Sequence, residues 1–499
     1  MTTSEVMAYI SDVTQGNLDR KCYLERLMVK MREQNTEMEL FSKLHEKPQG
    51  KSEGALAGLP ISVKDNICVK GFPTRAGSKI LREYHPPFDA TVVSRIRDAG
   101  GAFVGTTNMD EFGFGTFSTN CAYGLPKNPF DTNRSCGGSS GGAAGATAIL
   151  KNHIAIAEST GGSISCPAAF CGVVGFTPTY GRVSRFGLID YANSLDKIGA
   201  MTRSVEDLRI ILPIISGRDP NDMTSLVQPP LDLTEKEIRK IGIPKELIGK
   251  ITDKKILETF WQAIDKMRQE GVDAEEVSIP ILEYSIPAYY ILACAEASTN
   301  LAKFCGMRYG LEGQHFDSMY NNFFTEVRSS AFGQEAKRRI MLGTFARMAG
   351  YRDQYYMKAL RIRRKMIEEF ERAFKGIDLL ASPTMPLLPP RFDEIEDMSP
   401  ATVYALDFLT VPPNLAGLPH ISMPMGYAND LPMGIHLIAP HWEEGRLLSA
   451  GRIWNGRWNT DSPWIWRGSR DAHRAGDPRA AAHEKQAFLH LPQPPVQRA

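Results

Sequence analysis

The residue types best suited to chemistry crowd into two short turns, Cys136-Gly-Gly-Ser-Ser-Gly-Gly142 and Ser159-Thr-Gly-Gly-Ser163, each pairing glycines with serine. Glycines at this density let backbone N–H groups approach a ligand closely, which suits either a bound anion or a developing oxyanion. A phosphate loop of the Walker type needs a lysine and a Ser or Thr directly after its glycines; no lysine follows here, and the dinucleotide fingerprint is also missing. Phosphate binding is therefore weakly supported, and a serine nucleophile becomes the reading to test.

A serine nucleophile needs a base. His153 sits in the apolar run His153-Ile-Ala-Ile-Ala157 and reads as a core residue. Lysine can replace histidine where desolvation leaves it neutral, and Lys64 has a suitable context. It ends Leu59-Pro-Ile-Ser-Val-Lys64, in which Ile61 and Val63 mark a buried strand. Either Lys64 has a task there or its ammonium reaches out to solvent or pairs with Asp65; the residues alone leave both open. Cys136, Cys166 and Cys171 lie in or near the turns, but none has a neighbouring histidine to activate it, so they read as small buried residues.

Elements that could position these groups alternate along the chain. Residues 3–45 read as helix, with Leu18, Tyr23, Leu24, Leu27, Met28 and Met31 on one stripe. Residues 88–108 read as helix, a Gly100-Gly101 stop and a strand from Ala102. Pro167–Gly187 reads as loop around a short strand at Val173, and Ser204–Ser216 as a helix capped by Ser204. A strand at Lys240–Pro244 precedes a helix over 254–270; helices dominate 285–375; Ile377–Pro383 is a strand, and His420–Pro424 and Met433–Pro440 pair as strands. This pattern implies one large α/β domain over 1–454.

The tail, 455–499, departs from it. Four of the six tryptophans fall within 454–466, lysine gives way to arginine, and Pro492-Gln-Pro-Pro495 has no packing logic; the composition fits a frameshifted, fused or disordered segment. A net charge of +1 offers no field to recruit nucleic acid or anionic lipid. Eight cysteines without a Cys-x-x-Cys pair, an N-terminus unlike a signal peptide and no apolar run of membrane-spanning length lead to the expectation of a soluble cytoplasmic protein.

Taken together, Lys64 in Gly-Leu-Pro-Ile-Ser-Val-Lys-Asp, the glycine-serine run at 137–142 and the segment 159–175 resemble the amidase signature family. Three motifs in order make the resemblance specific, and it extends from about residue 10 to about 453. It implies a mixed, mostly parallel-strand sheet covered by helices on both faces. It also implies Ser163 as nucleophile, Ser139 as a proton relay next to a cis peptide, Lys64 as neutral base, and an oxyanion hole from the backbone of Thr160, Gly161 and Gly162. The family commonly has Asp and Arg where this chain has Ser159 and Ser165. Loss of both together reads as a compensated swap, since removing one alone would strand a buried charge.

Lys337–Thr344 and Tyr404–Pro419 are similar to the glutaminase components of tRNA-dependent amidotransferases. That likeness implies hydrolysis of free glutamine, with Arg339 on the substrate carboxylate, Asp407 on its ammonium, and Tyr289 or Tyr290 lining the pocket. It implies no metal or cofactor in this chain, and passage of ammonia to a B subunit that binds tRNA, ATP and Mg²⁺, bridged by a small C subunit. The alternatives are a stand-alone amidase for acyl or aryl amides, which needs no Arg339/Asp407 pair, and a non-catalytic scaffold subunit.

Overall fold

The computed structural model describes residues 4–313 and 319–455; the 455–499 tail, apart from the backbone of Asn455, lies outside the described residues. Thirteen strands occur among the described residues. The first five are β1 (Phe41–Leu44), β2 (Pro60–Lys64), β3 (Ala102–Thr107), β4 (Lys127–Asn128) and β5 (Asp131–Ser135). β6 (Ile154–Ser159), β7 (Val174–Thr177), β8 (Lys197–Thr202), β9 (Lys240–Pro244) and β10 (Asp273–Val277) follow, then β11 (Leu379–Pro383), β12 (His420–Ala428) and β13 (Leu431–Ile438).

Eleven of them form one mixed sheet in the order β1-β3-β2-β6-β8-β7-β12-β13-β11-β9-β10, while β4 and β5 make a separate ribbon. Pairing is parallel within β3-β2-β6 and within β11-β9-β10, and antiparallel elsewhere. The parallel blocks are fed by helical crossovers, Thr91–Asp98 before β3 and Gly141–Ile149 before β6, as parallel strands require.

The N-terminal stripe packs as its spacing demands. Leu24, Leu27, Met28 and Met31, on the helix Arg20–Met38, enter a core with Val104, Ala143, Ala146 and Ile164. The helical reading of 3–45 stops short of its end, however. Glu39 adopts a left-handed conformation that terminates the helix, and Asn35 then bonds both the N–H and the C=O of Phe41 at 2.7 and 3.0 Å. These bonds turn Phe41–Leu44 into an edge strand on β3 instead of a further helical turn. Within Pro167–Gly187, Pro167–Phe170 likewise belongs to a short helix, Ser165–Phe170, that leads into β7. β8 and β10 carry no strong sequence signal; both are defined by their sheet partners.

Two features of the fold position the site. Parallel pairing of β2 with β6 aligns Val63 with Ile156, so the carboxyl ends of both strands, Lys64 and Glu158, emerge side by side. On the helical side, Gln334–Arg347 lies so close to Ser285–Asn300 that a Cβ on Gly343 would sit 1.8 Å from the Cys294 carbonyl oxygen. Only glycine permits that approach, and it brings the side of one helix bearing Tyr289 and Tyr290 toward Arg339 on the other.

Candidate active site

Lys64 is fully buried, and its Nζ lies 2.7 Å from Ser139 Oγ. Ser139 follows a cis Gly138–Ser139 peptide bond. The two glycine turns are tied together where the Ser140 amide donates to the Ser163 carbonyl at 3.2 Å. Ser163 lines a cleft and is 7% exposed, so its side chain keeps a way out of the core. Gly161, Gly162, Tyr289, Tyr290, Arg339 and Asp407 line the same cleft.

The glycines there are required by space. A Cβ on Gly161 would meet Tyr289 Oη at 2.4 Å, and one on Gly162 would meet Thr410 Oγ1 at 2.3 Å. Thr160 is different: its hydroxyl points beneath the cleft, at 2.6 Å from Glu158 Oε1 and 2.8 Å from Asp196 Oδ1.

Opposite charges stand in the cleft wall. Arg339 is buried among the rings of Phe114, Tyr191, Tyr290 and Tyr404, with its guanidinium carbon 5.2–5.6 Å from their centroids. Its Nε donates to Glu335 at 2.7 Å and its Nη1 to Tyr191 Oη at 2.6 Å. Burial opposes its charge, but Tyr191, Tyr290 and Glu335 around it hold the guanidinium firmly protonated.

Asp407 accepts from Tyr290 Oη at 2.6 Å and from Thr116 Oγ1 at 3.1 and 3.2 Å. Burial pushes its carboxyl up to about 6, against the pull of the Tyr290 and Thr116 bonds. The choice between Tyr289 and Tyr290 resolves into two positions: Tyr289 covers the glycine turn, and Tyr290 holds Asp407.

The sequence reading missed several members of this assembly. Glu158 is the foremost: it is 1% exposed and its Oε2 stands 2.8 Å from Lys64 Nζ. The available signal was an acid inside the apolar run of β6. Thr116, Tyr191, Glu335 and Thr410 carry no such signal and join the site only through the tertiary fold. Asp65, the alternative partner considered for Lys64, lies instead toward Arg75 at 3.8 Å. His153 is a core residue, buried with Nε2 2.9 Å from Ser62 Oγ. Ser159 and Ser165 find separate partners: Ser159 Oγ is 3.4 Å from Asn414 Oδ1, and Ser165 Oγ is 3.1 Å from His420 Nδ1. Neither position needs a charge in this packing.

A buried serine-lysine pair beneath two glycine turns, open to a cleft, is an arrangement for attack on a carbonyl. The chain belongs to the amidase family, whose model matches residues 21–448. It is 46% identical over 411 residues to the glutamyl-tRNA(Gln) amidotransferase A subunit of Haloarcula marismortui, covering 81% of this chain and 96% of the relative. The protein of the same name from Trichodesmium erythraeum is 44% identical over 414 residues, covering 81% and 85%. Among solved structures, the glutamyl-tRNA(Gln) amidotransferase A subunit from Thermotoga maritima superposes with a TM-score of 0.77 at 35% identity, over 90% of this chain and 94% of that one. Among the described residues, no helix is long and apolar enough to cross a membrane.

Proposed function

We propose that this chain is the glutamine-hydrolysing component of a cytoplasmic tRNA-dependent amidotransferase, working by serine attack and an acyl-enzyme intermediate. The observation that carries the reading is the cleft itself, which joins Ser163 to a buried guanidinium, Arg339, and a carboxylate, Asp407. A free amino acid presents an α-carboxylate and an α-ammonium, and these two groups match them; the planar guanidinium fork suits the carboxylate. A simple acyl or aryl amide would leave both charges unused.

In this reading glutamine lies with its side-chain amide over Ser163. Ser163 Oγ attacks the amide carbon and passes its proton through Ser139 to Lys64. Backbone N–H groups of Thr160, Gly161 and Gly162 receive the oxyanion. The leaving nitrogen takes that proton back from Lys64 by way of Ser139 and departs as ammonia, and water then hydrolyses the acyl-enzyme, returning a proton to Ser163 and releasing glutamate. Ammonia passes to a tRNA-binding B subunit that uses ATP and Mg²⁺, with a small C subunit bridging; no metal or cofactor is assigned to this chain. The near-neutral charge agrees with tRNA being held by a partner. The names of the relatives favour Glu-tRNA(Gln) as the acceptor.

The test is ammonia release from glutamine by the chain co-purified with its partner subunits. Expected is glutaminase activity lost in Ser163→Ala and labelling of Ser163 by a glutamine-derived electrophile. Activity that survives Arg339→Ala would favour a general amidase instead, and no turnover or labelling with all partners present would leave a scaffold.

A further inference from the structure

Beneath the cleft, hydrogen bonds run from Asp196 through Thr160 and Glu158 to Lys64. Lys64 Nζ meets Glu158 twice, at 2.8 Å to Oε2 and 3.1 Å to the backbone oxygen, and meets Ser139 Oγ at 2.7 Å. A neutral amine has two N–H donors and one lone pair. If both donors go to Glu158, the lone pair is left facing Ser139, which is the orientation a base needs.

The proton count fixes the charge of this assembly. Thr160 has one hydroxyl proton, yet its oxygen lies within bonding distance of two carboxyl groups. One of those contacts must use a proton carried by a carboxyl. Glu158 Oε2 faces the donors Lys64 and Asn66, the latter at 3.3 Å, and its Oε1 is the nearer acceptor for the Thr160 hydroxyl, at 2.6 Å against 2.8 Å for Asp196. The proton therefore belongs on Asp196 Oδ1, with the Tyr191 amide donating to Oδ2 at 2.9 Å and the Ala192 amide shared between Oδ2 at 3.0 Å and Oδ1 at 3.1 Å. Burial, reinforced by the charge of Glu158, holds the Asp196 carboxyl well above the usual range. Two further charged groups act on this network: Asp110, satisfied by the Ser118 and Asn120 amides, on Lys64, and Arg185 on Asp196.

We infer that Glu158 is a positioning residue for Lys64: it aims the amine lone pair at Ser139 and stabilises the ammonium that forms when Ser163 is deprotonated, while a protonated Asp196, acting through Thr160, holds Glu158 in place. The step balances. The proton of Ser163 moves to Ser139, that of Ser139 moves to Lys64 Nζ, and the new ammonium stands beside a carboxylate that stays ionised. The logic is that of a carboxylate behind a catalytic imidazole, with lysine in place of histidine.

The inference rests on Lys64 serving as the base for Ser163 and is independent of which amide is hydrolysed, so its test uses a fluorophosphonate probe in place of glutamine. The rate of Ser163 labelling is followed against pH for wild type, Glu158→Gln and Glu158→Asp in the assembled complex. Removing a carboxylate next to an ammonium lowers the proton affinity of the amine. The acid limb of Glu158→Gln is therefore expected about one pH unit or more below that of wild type, with the plateau reduced about ten- to hundredfold. Glu158→Asp, which keeps the charge, is expected to return the limb toward its wild-type position. A Glu158→Gln limb that coincides with wild type overturns the inference, whatever its plateau. Should Glu158→Gln fail to fold, the infrared difference between wild type and Asp196→Asn at neutral pH decides: a protonated-carboxyl band lost in the variant supports the assignment, and the absence of such a band overturns it.

Discussion

Tyr290→Phe takes one hydroxyl from the cleft wall and leaves the ring in place. That hydroxyl donates to Asp407 Oδ2 at 2.6 Å, while the longer contacts from Thr116 remain. Burial has already pushed the Asp407 carboxyl up to about 6, and the Tyr290 bond is the largest influence opposing it. A hydrogen bond to a charged group contributes about 1.5–3 kcal/mol, and one pH unit corresponds to about 1.4 kcal/mol, so its loss moves half-titration up by about one to two pH units. If ionised Asp407 receives the α-ammonium of glutamine, affinity falls as pH drops through that point. At pH 7 the ionised fraction goes from about nine-tenths to between about one-half and one-tenth, which predicts a glutamine Kd about two- to tenfold weaker. The gap should close again at higher pH. Calorimetric titration of glutamine into Ser163→Ala, with and without Tyr290→Phe, between pH 5 and 9 isolates binding from turnover. A Kd–pH curve that the tyrosine substitution leaves unmoved, or moves to lower pH, refutes the role given to Asp407.

Two substitutions away from the reacting groups test the frame. Arg182 and Glu444 form a buried pair at 3.1 Å, with Arg182 also donating to the Pro229 carbonyl at 2.6 Å. Arg182→Met strands the Glu444 carboxylate and is expected to cost about 3–5 kcal/mol, read as a lower urea midpoint. The double variant Arg182→Met/Glu444→Gln should lose less than the two single losses combined. Gly343→Ala places a methyl group 1.8 Å from the Cys294 carbonyl oxygen and should cost about 1–3 kcal/mol or more. Because the two helices it separates carry Tyr290 and Arg339, glutamine Kd in the Ser163→Ala background should rise with the loss of stability.

What was legible in the sequence follows the range of the contacts involved. Lys64 declares itself locally, since a lysine at the end of a buried strand needs a reason, and both glycine-serine turns are recognisable from their own residues. The two strands at β12 and β13, and the helix capped by Ser204 through the Asp207 amide, are likewise set by neighbours in sequence. Arg339 and Asp407 are of the other kind. Arg339 lies on an ordinary-looking helix, and nothing near it signals the aromatic box that Phe114, Tyr191, Tyr290 and Tyr404 build from four separate segments. Family likeness alone brought those positions forward. Glu158 falls between the two cases. An acid within Ile154–Ser159 was visible, but its partner is supplied by the register of β2 against β6, which no local pattern sets.

That division has a consequence for how the site tolerates change. At the reacting end Lys64 is paired with Thr107 of β3 and Glu158 with Ile198 of β8, so the geometry of this pair is set by the sheet and insulated from most side-chain substitutions. The binding end is assembled by helix packing around Gly343 and by side chains from distant segments, and its spacing depends on each of them. Changes in helix packing should therefore alter which amide is held over Ser163 before they alter the reactivity of Ser163 itself. On this basis Gly343→Ala should weaken glutamine binding while a fluorophosphonate still labels Ser163 at close to the wild-type rate, as long as the fold persists. Parallel losses in binding and labelling would mean that the two ends are mechanically one.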